Sequence, residues 1–371
     1  GVRVIRAYAQ EQATEAHFEA ACEEYKQRSL DLARVDALFQ PLMVLLIGLS
    51  TLLTIFVGGW EVMKGQLSAG NVAEFVIYVN MLTWPVASLG WVASIVQRAA
   101  VSQRRINEFL QTQPEITGGA IVAPVFEGKI SMEGVSFTYP DTGVQALRDV
   151  SFTVMPGEKV ALIGRTGAGK STIAELLLRF YDPDSGSICV DDVPIQDYPL
   201  EALREQISYV PQDVFLFGDS VRNNIAFGLV GNAEKSPETY AAMAHIHREI
   251  TDFPKQYDTL VGERGVTLSG GQKQRISIAR AFIKEAPVII LDDCLSAVDA
   301  DTEQQILGQM RQYLKDRTAL IITHRISGLM HYDKILVMDN NTIAESGTHE
   351  ELLLKGGIYA ELLETAAKDD R

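Results

Sequence analysis

Two long segments without a charged residue constrain this chain more than any other feature. Residues 38–59 and 75–96 each hold 22 positions without Asp, Glu, Lys or Arg. A helix of about 20 apolar residues crosses the roughly 30 Å hydrocarbon core of a bilayer. The lengths predict two membrane-spanning helices. The residues leave one alternative open, which is a pair of buried core helices in a soluble protein.

Basic residues lie on both sides of this pair of segments, whereas Lys64 is the one basic residue of the loop between them. The flanking residues are Lys26, Arg28, Arg34, Arg98, Arg104 and Arg105. Short loops rich in Lys and Arg stay on the cytoplasmic side of a membrane. Both ends of the hairpin are therefore predicted to be cytoplasmic, in a multi-pass protein of the cell (inner) membrane that contacts the lipid bilayer.

The rest of the chain divides by composition. Residues 1–36 are rich in helix-forming residues, with no Pro and with no Gly after position 1, and predict a long helix. Pro and Gly accumulate in residues 112–128, which we interpret as a linker. Beyond it, in residues 129–371, short β-rich runs alternate with helical segments. This alternation predicts an α/β domain with a largely parallel sheet, after an α-helical transmembrane part in residues 1–111.

Charge and cysteine content exclude some classes of function. A formal net charge of −15 disfavours a nucleic-acid-binding protein, which would show a basic face. Cys22, Cys189 and Cys294 lie far apart without a CxxC pair, so no zinc site or disulfide framework is predicted. The sequence starts at Gly1 without Met, and we interpret it as a fragment.

A glycine-rich motif follows an apolar run in the α/β part. The run KVALIG leads into GRTGAGKST, where Gly164, Gly169, Lys170 and Ser171 match the phosphate-loop pattern G-x4-G-K-S. Backbone N–H groups of such a loop surround phosphate oxygens at the start of a helix. Lys170 would reach the terminal phosphates, and the Ser171 hydroxyl would bind Mg²⁺. The predicted nucleotide-binding residues of this loop are Gly164, Arg165, Thr166, Gly167, Ala168, Gly169, Lys170, Ser171 and Thr172.

Two further motifs narrow the interpretation. The stretch LSGGQKQRISIARA occupies residues 268–281, and VIILDD ends an apolar run at Asp292 and Asp293. Together with the phosphate loop, they resemble the ATP-binding cassette (ABC) family, in which LSGGQ is the signature loop. The resemblance covers about residues 125–371 and implies a P-loop nucleotide-binding domain with a helical subdomain, ATP as ligand and Mg²⁺ as cofactor.

The resemblance also implies individual roles. Tyr139 is similar to the aromatic residue that stacks on adenine, and Gln212 to the glutamine that contacts Mg²⁺ and the attacking water. Asp292 would hold Mg²⁺, and His324 resembles the switch histidine. Phe215, Leu216 and Phe217, after Gln212, would face helices of the membrane part. The residues that the resemblance places on the ATP bound by a partner chain are Ser269, Gly270, Gly271 and Gln272, with Asp299 of the D-loop also at the nucleotide.

In this family two cassettes bind ATP between them, head to tail, so the single cassette implies a dimer with a second half-transporter. The stretch GVRVIRAYAQEQ resembles the end of a cytoplasmic loop of exporter-type half-transporters. The two apolar segments then resemble the fifth and sixth spans, and about four spans would be missing. The implied activity is ATP-driven export of a hydrophobic or amphipathic small molecule, lipid or peptide.

Asp293 departs from the family pattern, which has glutamate at this position to polarise the attacking water. Aspartate is one methylene shorter, so its carboxylate lies about 1.5 Å farther back. The departure resembles heterodimeric exporters with one degenerate ATP site. A homodimer in which Asp293 still acts as the base remains open, as does a mainly regulatory subunit with little turnover. A soluble ABC protein acting on DNA or ribosomes is disfavoured by the apolar hairpin.

Overall fold

A computed structural model of the chain describes residues 2–121, 126–229, 235–324 and 331–369. The chain separates into two compact units, residues 1–113 and 114–371, which are described one at a time. The predicted linker, residues 112–128, falls partly outside the described residues, because positions 122–125 are not described.

Over its described residues, the first unit contains helices joined by short turns and no strand. It consists of α1 (Val2–Ala7), α2 (Glu11–Met63) and α3 (Ala69–Gln111). The 53 residues of α2 give a rod of about 80 Å. The predicted helix over residues 1–36 and the first predicted span therefore belong largely to one helix, which passes through Pro41 without ending. A break after α1 was not predicted, and there Ala9 takes a left-handed backbone conformation with φ 50°.

Both predicted apolar segments lie in helices long and apolar enough to cross a membrane, over Pro41–Met63 and within α3. The turn between them is closed by a reciprocal cap, in which Ser68 and Asn71 bond each other's backbone N–H groups. Large apolar side chains such as Phe56 and Trp84 are mostly exposed on these helices. An apolar surface of this extent is stable only against lipid or further helices, as expected of a membrane-spanning segment.

The second unit contains two sheets. In chain order, its strands are β1 (Ile130–Thr138), β2 (Gln145–Val154), β3 (Lys159–Gly164), β4 (Ser185–Val190), β5 (Val193–Pro194), β6 (Ile207–Val210), β7 (Val288–Asp292), β8 (Thr318–Ile322), β9 (Lys334–Asp339) and β10 (Thr342–Gly347). A four-stranded antiparallel sheet has the order β2-β1-β4-β5. A six-stranded sheet has the order β10-β9-β3-β8-β7-β6 and is parallel except for β10.

Helices cover the larger sheet and form a separate helical part. They are α4 (Lys170–Leu177), α5 (Leu200–Glu205), α6 (Val221–Ala226), α7 (Pro237–Met243), α8 (His247–Thr251), α9 (Gly270–Lys284), α10 (Ala300–Leu314), α11 (His349–Lys355) and α12 (Ile358–Asp369). Every residue of β7 and β8 is buried, as expected for central parallel strands covered on both faces. The predicted fold class, a helical membrane part followed by an α/β domain with a helical subdomain, is confirmed.

The segment before β1 is hydrogen-bonded to the rest of the second unit. The N–H groups of Gly119 and Ile121 donate to the carbonyls of Tyr198 and Asp197, at 2.9 and 3.2 Å. The Asp191 carboxylate then accepts bonds from three consecutive backbone N–H groups, those of residues 127–129, at 2.8 to 3.0 Å. The start of β1 is thereby pinned to the turn between β4 and β5.

Candidate functional site

The glycine-rich loop lies where the sequence predicts it, between the buried strand β3 and helix α4. Gly169 is the N-cap of α4 and has φ 93°, a left-handed conformation that favours glycine. The Lys170 ammonium turns back over the loop and donates to the carbonyls of Gly164 and Arg165, both at 2.9 Å. These bonds keep the cation at the centre of the loop, where phosphate oxygens would replace the carbonyls.

A cavity of about 450 Å³ opens at this loop. The described residues that line it are Tyr139, Val144, Gln145, Ala146, Thr166, Gly167, Gly169, Lys170, Ser171, Thr172, Gln212, Asp292, His324 and Asn341. Gln212, Asp292 and His324 follow or end the neighbouring strands β6, β7 and β8, so the parallel sheet delivers them to one edge. Ligands bind at this carboxyl-terminal edge in open α/β sheets. Of the predicted loop residues, Gly164, Arg165 and Ala168 are not among the lining residues.

Lys170 and Asp292 bring opposite charges to the lining of the cavity, together with the neutral hydroxyl of Ser171. Burial raises the pKa of Asp292, and a hydrogen bond from the Ser171 hydroxyl lowers it in part. Burial lowers the pKa of Lys170, while the carboxylates of Asp292 and Asp293 oppose that change. Among the described residues, no group of three or more His, Cys, Asp and Glu could hold a metal.

The donor set nevertheless fits Mg²⁺. Ser171 and Asp292 both bring side-chain oxygen atoms to the cavity, and the Gln212 amide lines the same cavity. Mg²⁺ prefers oxygen ligands and is usually held by one or two protein groups together with water and substrate phosphates. The site therefore has the composition of a nucleotide-dependent Mg²⁺ site, not of a cage built by protein alone.

Asp293 lies beside this cavity, not on its wall. It has a left-handed backbone with φ 44°, and its N–H donates to the Ile322 carbonyl at 2.9 Å. Its side chain lines a smaller pocket together with Cys294 and Thr323. His324 does line the main cavity. Burial lowers the pKa of His324, the Lys170 ammonium lowers it further, and the Asp293 carboxylate opposes both effects. His324 is therefore neutral at pH 7.

Tyr139 also lines the cavity, and its ring is in edge contact with those of Phe137 and Tyr181. Its hydroxyl is 2.9 Å from the Thr172 hydroxyl and donates to the Glu175 carboxylate at 2.7 Å. Burial raises the pKa of Tyr139 to about 12, so the hydroxyl remains protonated and able to donate. The stacking residue predicted from the sequence is thus tied to the helix that follows the phosphate loop.

The signature residues occupy a second place in the same unit. Ser269 caps α9 reciprocally with Gln272, at 3.2 and 2.9 Å. Asp299 caps α10 by accepting from the Thr302 N–H at 3.0 Å. Neither these residues nor Gly270 and Gly271 are among the described residues that line the phosphate-loop cavity. The predicted nucleotide-binding residues therefore form two groups, which one chain does not bring together.

Sequence reasoning missed part of the cavity wall. Gln145 and Ala146 reach it from the start of β2, and Asn341 reaches it from the turn between β9 and β10. The Asn341 amide donates to the Gln145 carbonyl at 2.6 Å across 196 residues of chain. The only local signal was the pair Asn340-Asn341, a turn sequence in which both residues have positive φ.

Comparison with known proteins agrees with this geometry. The ABC transporter profile matches residues 147–296, and the ABC transporter transmembrane region profile matches residues 1–86. The chain is 44% identical, over 98% of its length and 62% of the relative's, to a probable multidrug resistance ABC transporter ATP-binding/permease protein of Bacillus subtilis. It is 40% identical to the ATP-dependent lipid A-core flippase of Pseudomonas fluorescens, over 98% of this chain and 60% of the flippase.

A solved structure extends the likeness to the fold. A bacterial Atm1-family ABC exporter with ATP bound superposes with a TM-score of 0.86 at 33% identity, over 99% of this chain and 64% of the exporter chain. The chain thus spans about three fifths of the relatives that it matches. The family resemblance and the membrane location predicted from the sequence are confirmed. The chain belongs to the ABC transporter family, with an ATP-binding cassette after part of a transmembrane region.

Proposed function

We propose that this chain is one half of a dimeric, ATP-driven exporter of a hydrophobic or amphipathic substrate. The relatives support a membrane exporter, since their names describe multidrug resistance and a lipid A-core flippase. The exposed apolar helices α2 and α3 would lie against lipid and against the remaining spans. A small molecule, a lipid and a peptide all suit such a surface.

The separation of the nucleotide-binding residues into two groups carries the proposal. The phosphate loop, Asp292 and His324 line one cavity, while Ser269 and Gln272 cap a helix elsewhere in the unit. A single chain would leave the second group without a nucleotide. Two chains arranged head to tail place the signature loop of each on the ATP held by the phosphate loop of the other, which gives both groups a role.

Within the cavity, each residue has a defined task. Lys170 would exchange its bonds to loop carbonyls for bonds to phosphate oxygens, and Tyr139 would stack on the base. Ser171, Asp292 and Gln212 would hold Mg²⁺, which when bound neutralises charge on the transferred phosphoryl group. Neutral His324 can donate a hydrogen bond from one ring nitrogen and accept one at the other.

We further propose that the ATP site on this chain's own phosphate loop hydrolyses slowly. A general base contributes roughly 10²–10⁴ in rate and must lie within hydrogen-bond reach of the water. The Asp293 carboxylate is about 1.5 Å shorter in reach than a glutamate, and its side chain is not among those that line the main cavity. The partner would then be a different half-transporter whose glutamate acts opposite this chain's intact signature loop.

Steady-state ATP hydrolysis by the full-length protein tests both proposals. The protein is measured alone and with its candidate partner, as wild type, Asp293→Glu and Asp293→Asn. Asn is the matched control, because it has the same length as Asp and tolerates a left-handed backbone equally well. We expect little turnover by the chain alone, no change with Asn, and a rise of roughly tenfold or more with Glu.

The opposite pattern would contradict the slow-site proposal. If the chain alone hydrolyses ATP rapidly, loses roughly 10²-fold with Asp293→Asn and is unchanged by Asp293→Glu, then Asp293 is a competent base in a homodimer. Absence of turnover in every combination, with the protein folded and partnered, would contradict the exporter proposal itself. Substrate class is tested separately, by stimulation of the hydrolysis rate with lipids, peptides and hydrophobic drugs.

A further inference from the structure

Gln274 is a buried amide on a helix that begins at the signature loop. Its side chain is 5% exposed, although glutamine is mostly found at protein surfaces. The amide is satisfied on both sides. Its N–H donates to the Ser296 hydroxyl at 2.9 Å, and its oxygen accepts from the Ala297 N–H at 2.9 Å. One side chain therefore fixes two consecutive residues of the loop that follows Asp293.

The Ser296 hydroxyl links Gln274 to the backbone of Asp293. It donates to the Asp293 backbone carbonyl at 3.0 Å, and the bond from Gln274 uses its acceptor side. The directed chain of bonds therefore runs from Gln274 through Ser296 to Asp293. On its other side, Asp293 is held by the bond from its N–H to the Ile322 carbonyl. Its left-handed conformation, unfavourable for most residues with a Cβ atom, is fixed at both ends of the residue.

The other end of the connection is the start of α9. Gly270 and Gly271 lie directly against Ala297. A Cβ atom added at Gly270 would stand 3.3 Å from the Ala297 methyl, and one added at Gly271 would stand 2.9 Å from the Ala297 carbonyl oxygen. The reciprocal cap between Ser269 and Gln272 makes the first turn of the helix rigid. A displacement at the signature loop therefore moves the Gln274 amide and the loop held by it together.

We propose that Gln274 is a positioning residue that couples the two ATP sites of the dimer. The inference rests on the proposed dimeric function, in which the signature loop faces ATP bound by the partner while Asp293 lies beside the chain's own ATP. Engagement of the signature loop reorients the Asp293 backbone through Gln274 and Ser296. Occupancy of the chain's own site is transmitted to the signature loop by the same bonds in reverse, because coupling between two sites is reciprocal.

The coupling can be measured in the assembled full-length dimer. One protomer carries the variants and its partner is wild type; in a homodimer, a tag on one protomer allows the mixed species to be purified. The affinity for a non-hydrolysable ATP analogue at the site made by the partner's phosphate loop is measured with the variant protomer's own site intact or emptied by Lys170→Ala. The ratio of the two dissociation constants reports how strongly one site responds to the other, because reciprocity holds for binding free energies.

The informative variants are Gln274→Met, which keeps the side-chain length and removes both bonds, and Ser296→Ala, which removes the relay hydroxyl. We expect the ratio to differ from one by about tenfold or more in wild type, which is a typical coupling between sites. Either variant should bring it close to one. The double variant should add nothing, because both changes interrupt the same chain of bonds. ATP binding by the variant protomer should stay within about twofold of wild type.

Ile278→Val is the control for a merely structural role. Ile278 lies one helical turn beyond Gln274 and is fully buried among apolar residues, so its truncation loosens α9 without touching the loop. It should leave the ratio unchanged. A ratio that is unaltered by Gln274→Met, or equally altered by Ile278→Val, overturns the inference. A ratio near one in wild type also overturns it while leaving the exporter proposal intact, whereas absence of hydrolysis or of a dimer contradicts the proposed function itself.

Discussion

Two glycines of the phosphate loop allow the local geometry to be tested independently of catalysis. Gly167 and Gly169 have similar backbone angles, with φ 82° and 93°, so an alanine at either position is strained. Their surroundings differ. A Cβ atom at Gly167 would meet nothing within 4 Å, whereas one at Gly169 would stand 2.3 Å from the Ala146 carbonyl oxygen and 2.8 Å from a Leu147 methyl. The two positions thus separate backbone strain from steric overlap.

The expected magnitudes follow from these contacts. A left-handed conformation costs a residue with a Cβ atom about 1–2 kcal/mol, which is the whole expected loss for Gly167→Ala. For Gly169→Ala, the backbone of β2 or the loop must move by about 1 Å, and overpacking of this kind costs a further 1–3 kcal/mol or so. In a domain of this size each kcal/mol lowers Tm by about 2–4 °C. Gly169→Ala should therefore melt roughly 2–12 °C below Gly167→Ala.

The assay is thermal unfolding of the full-length protein without nucleotide, at a fixed scan rate, followed by titration with ATP. Gly169→Ala should also weaken ATP binding by about tenfold or more, because a loop displaced by about 1 Å loses at least one phosphate contact worth about 1.4 kcal/mol. Equal losses of Tm in the two variants would show that Gly169 does not lie against β2. The reasoning from the loop geometry would then be refuted.

Two more predictions concern other parts of the cassette. Burial raises the pKa of Cys294 to about 12, so its thiol stays protonated between pH 7 and 9. Maleimide should therefore label exposed Cys22 but not buried Cys294 in the folded protein, as measured by mass spectrometry. Rapid labelling of both cysteines would contradict the burial of Cys294. Asp191→Ala leaves three N–H groups, including that of buried Gly128, without their carboxylate. It should destabilise the cassette by about 2–4 kcal/mol and lower Tm by roughly 5–15 °C; Asp191→Asn, which keeps one acceptor, should lose less, and an unchanged Tm in Asp191→Ala would refute the anchoring.

Local patterns were sufficient for the elements that depend on local physics. The alternation of β-rich runs and helical segments gave the α/β class, and the phosphate loop was found because its chemistry needs a strand, glycines and a helix in immediate succession. The break after α1 was missed, since a left-handed alanine leaves no signal when neither Gly nor Pro marks it. Leu216 was wrongly predicted to face a helix of the membrane part, whereas it is fully buried in the helical core. Apolar character alone does not separate a docking surface from a core.

Contacts between distant segments were beyond the reach of the sequence. The cavity wall at Asn341 exists because β10 lies near β2, and no periodicity within either strand reports that neighbourhood. The linker illustrates the same limit. Its Pro and Gly content predicted a linker, but it did not predict that Gly119 packs so closely that a Cβ atom there would meet the Asp197 carbonyl oxygen at 2.1 Å. At this position glycine is explained by close packing.

Helix α9 shows how the functional loops become one mechanical unit. A buried helix would be cheapest with apolar residues alone, since burying an amide or a cation costs free energy unless it is bonded. Yet α9 buries Gln274, which holds the loop after Asp293, and much of Arg280, which donates to the Phe215 carbonyl at 2.9 Å and to Asn224 at 2.8 Å. Burial lowers the pKa of Arg280 to about 10, so it remains a cation at pH 7.

The positions of Gln274 and Arg280 along α9 explain why polar side chains are buried there in spite of the free-energy cost of burying them. Phe215 lies three residues after Gln212, which lines the nucleotide cavity, and its ring is about half exposed beside that of Phe217. One helix therefore begins at the signature loop. Near its first turn it is hydrogen-bonded to the loop after Asp293, and near its end it is hydrogen-bonded to the segment after Gln212. An apolar helix could pack equally well, but it could not specify the orientation of two loops. Polar residues buried on an otherwise apolar helix face are thus the sequence feature most worth examining for positioning residues in this cassette.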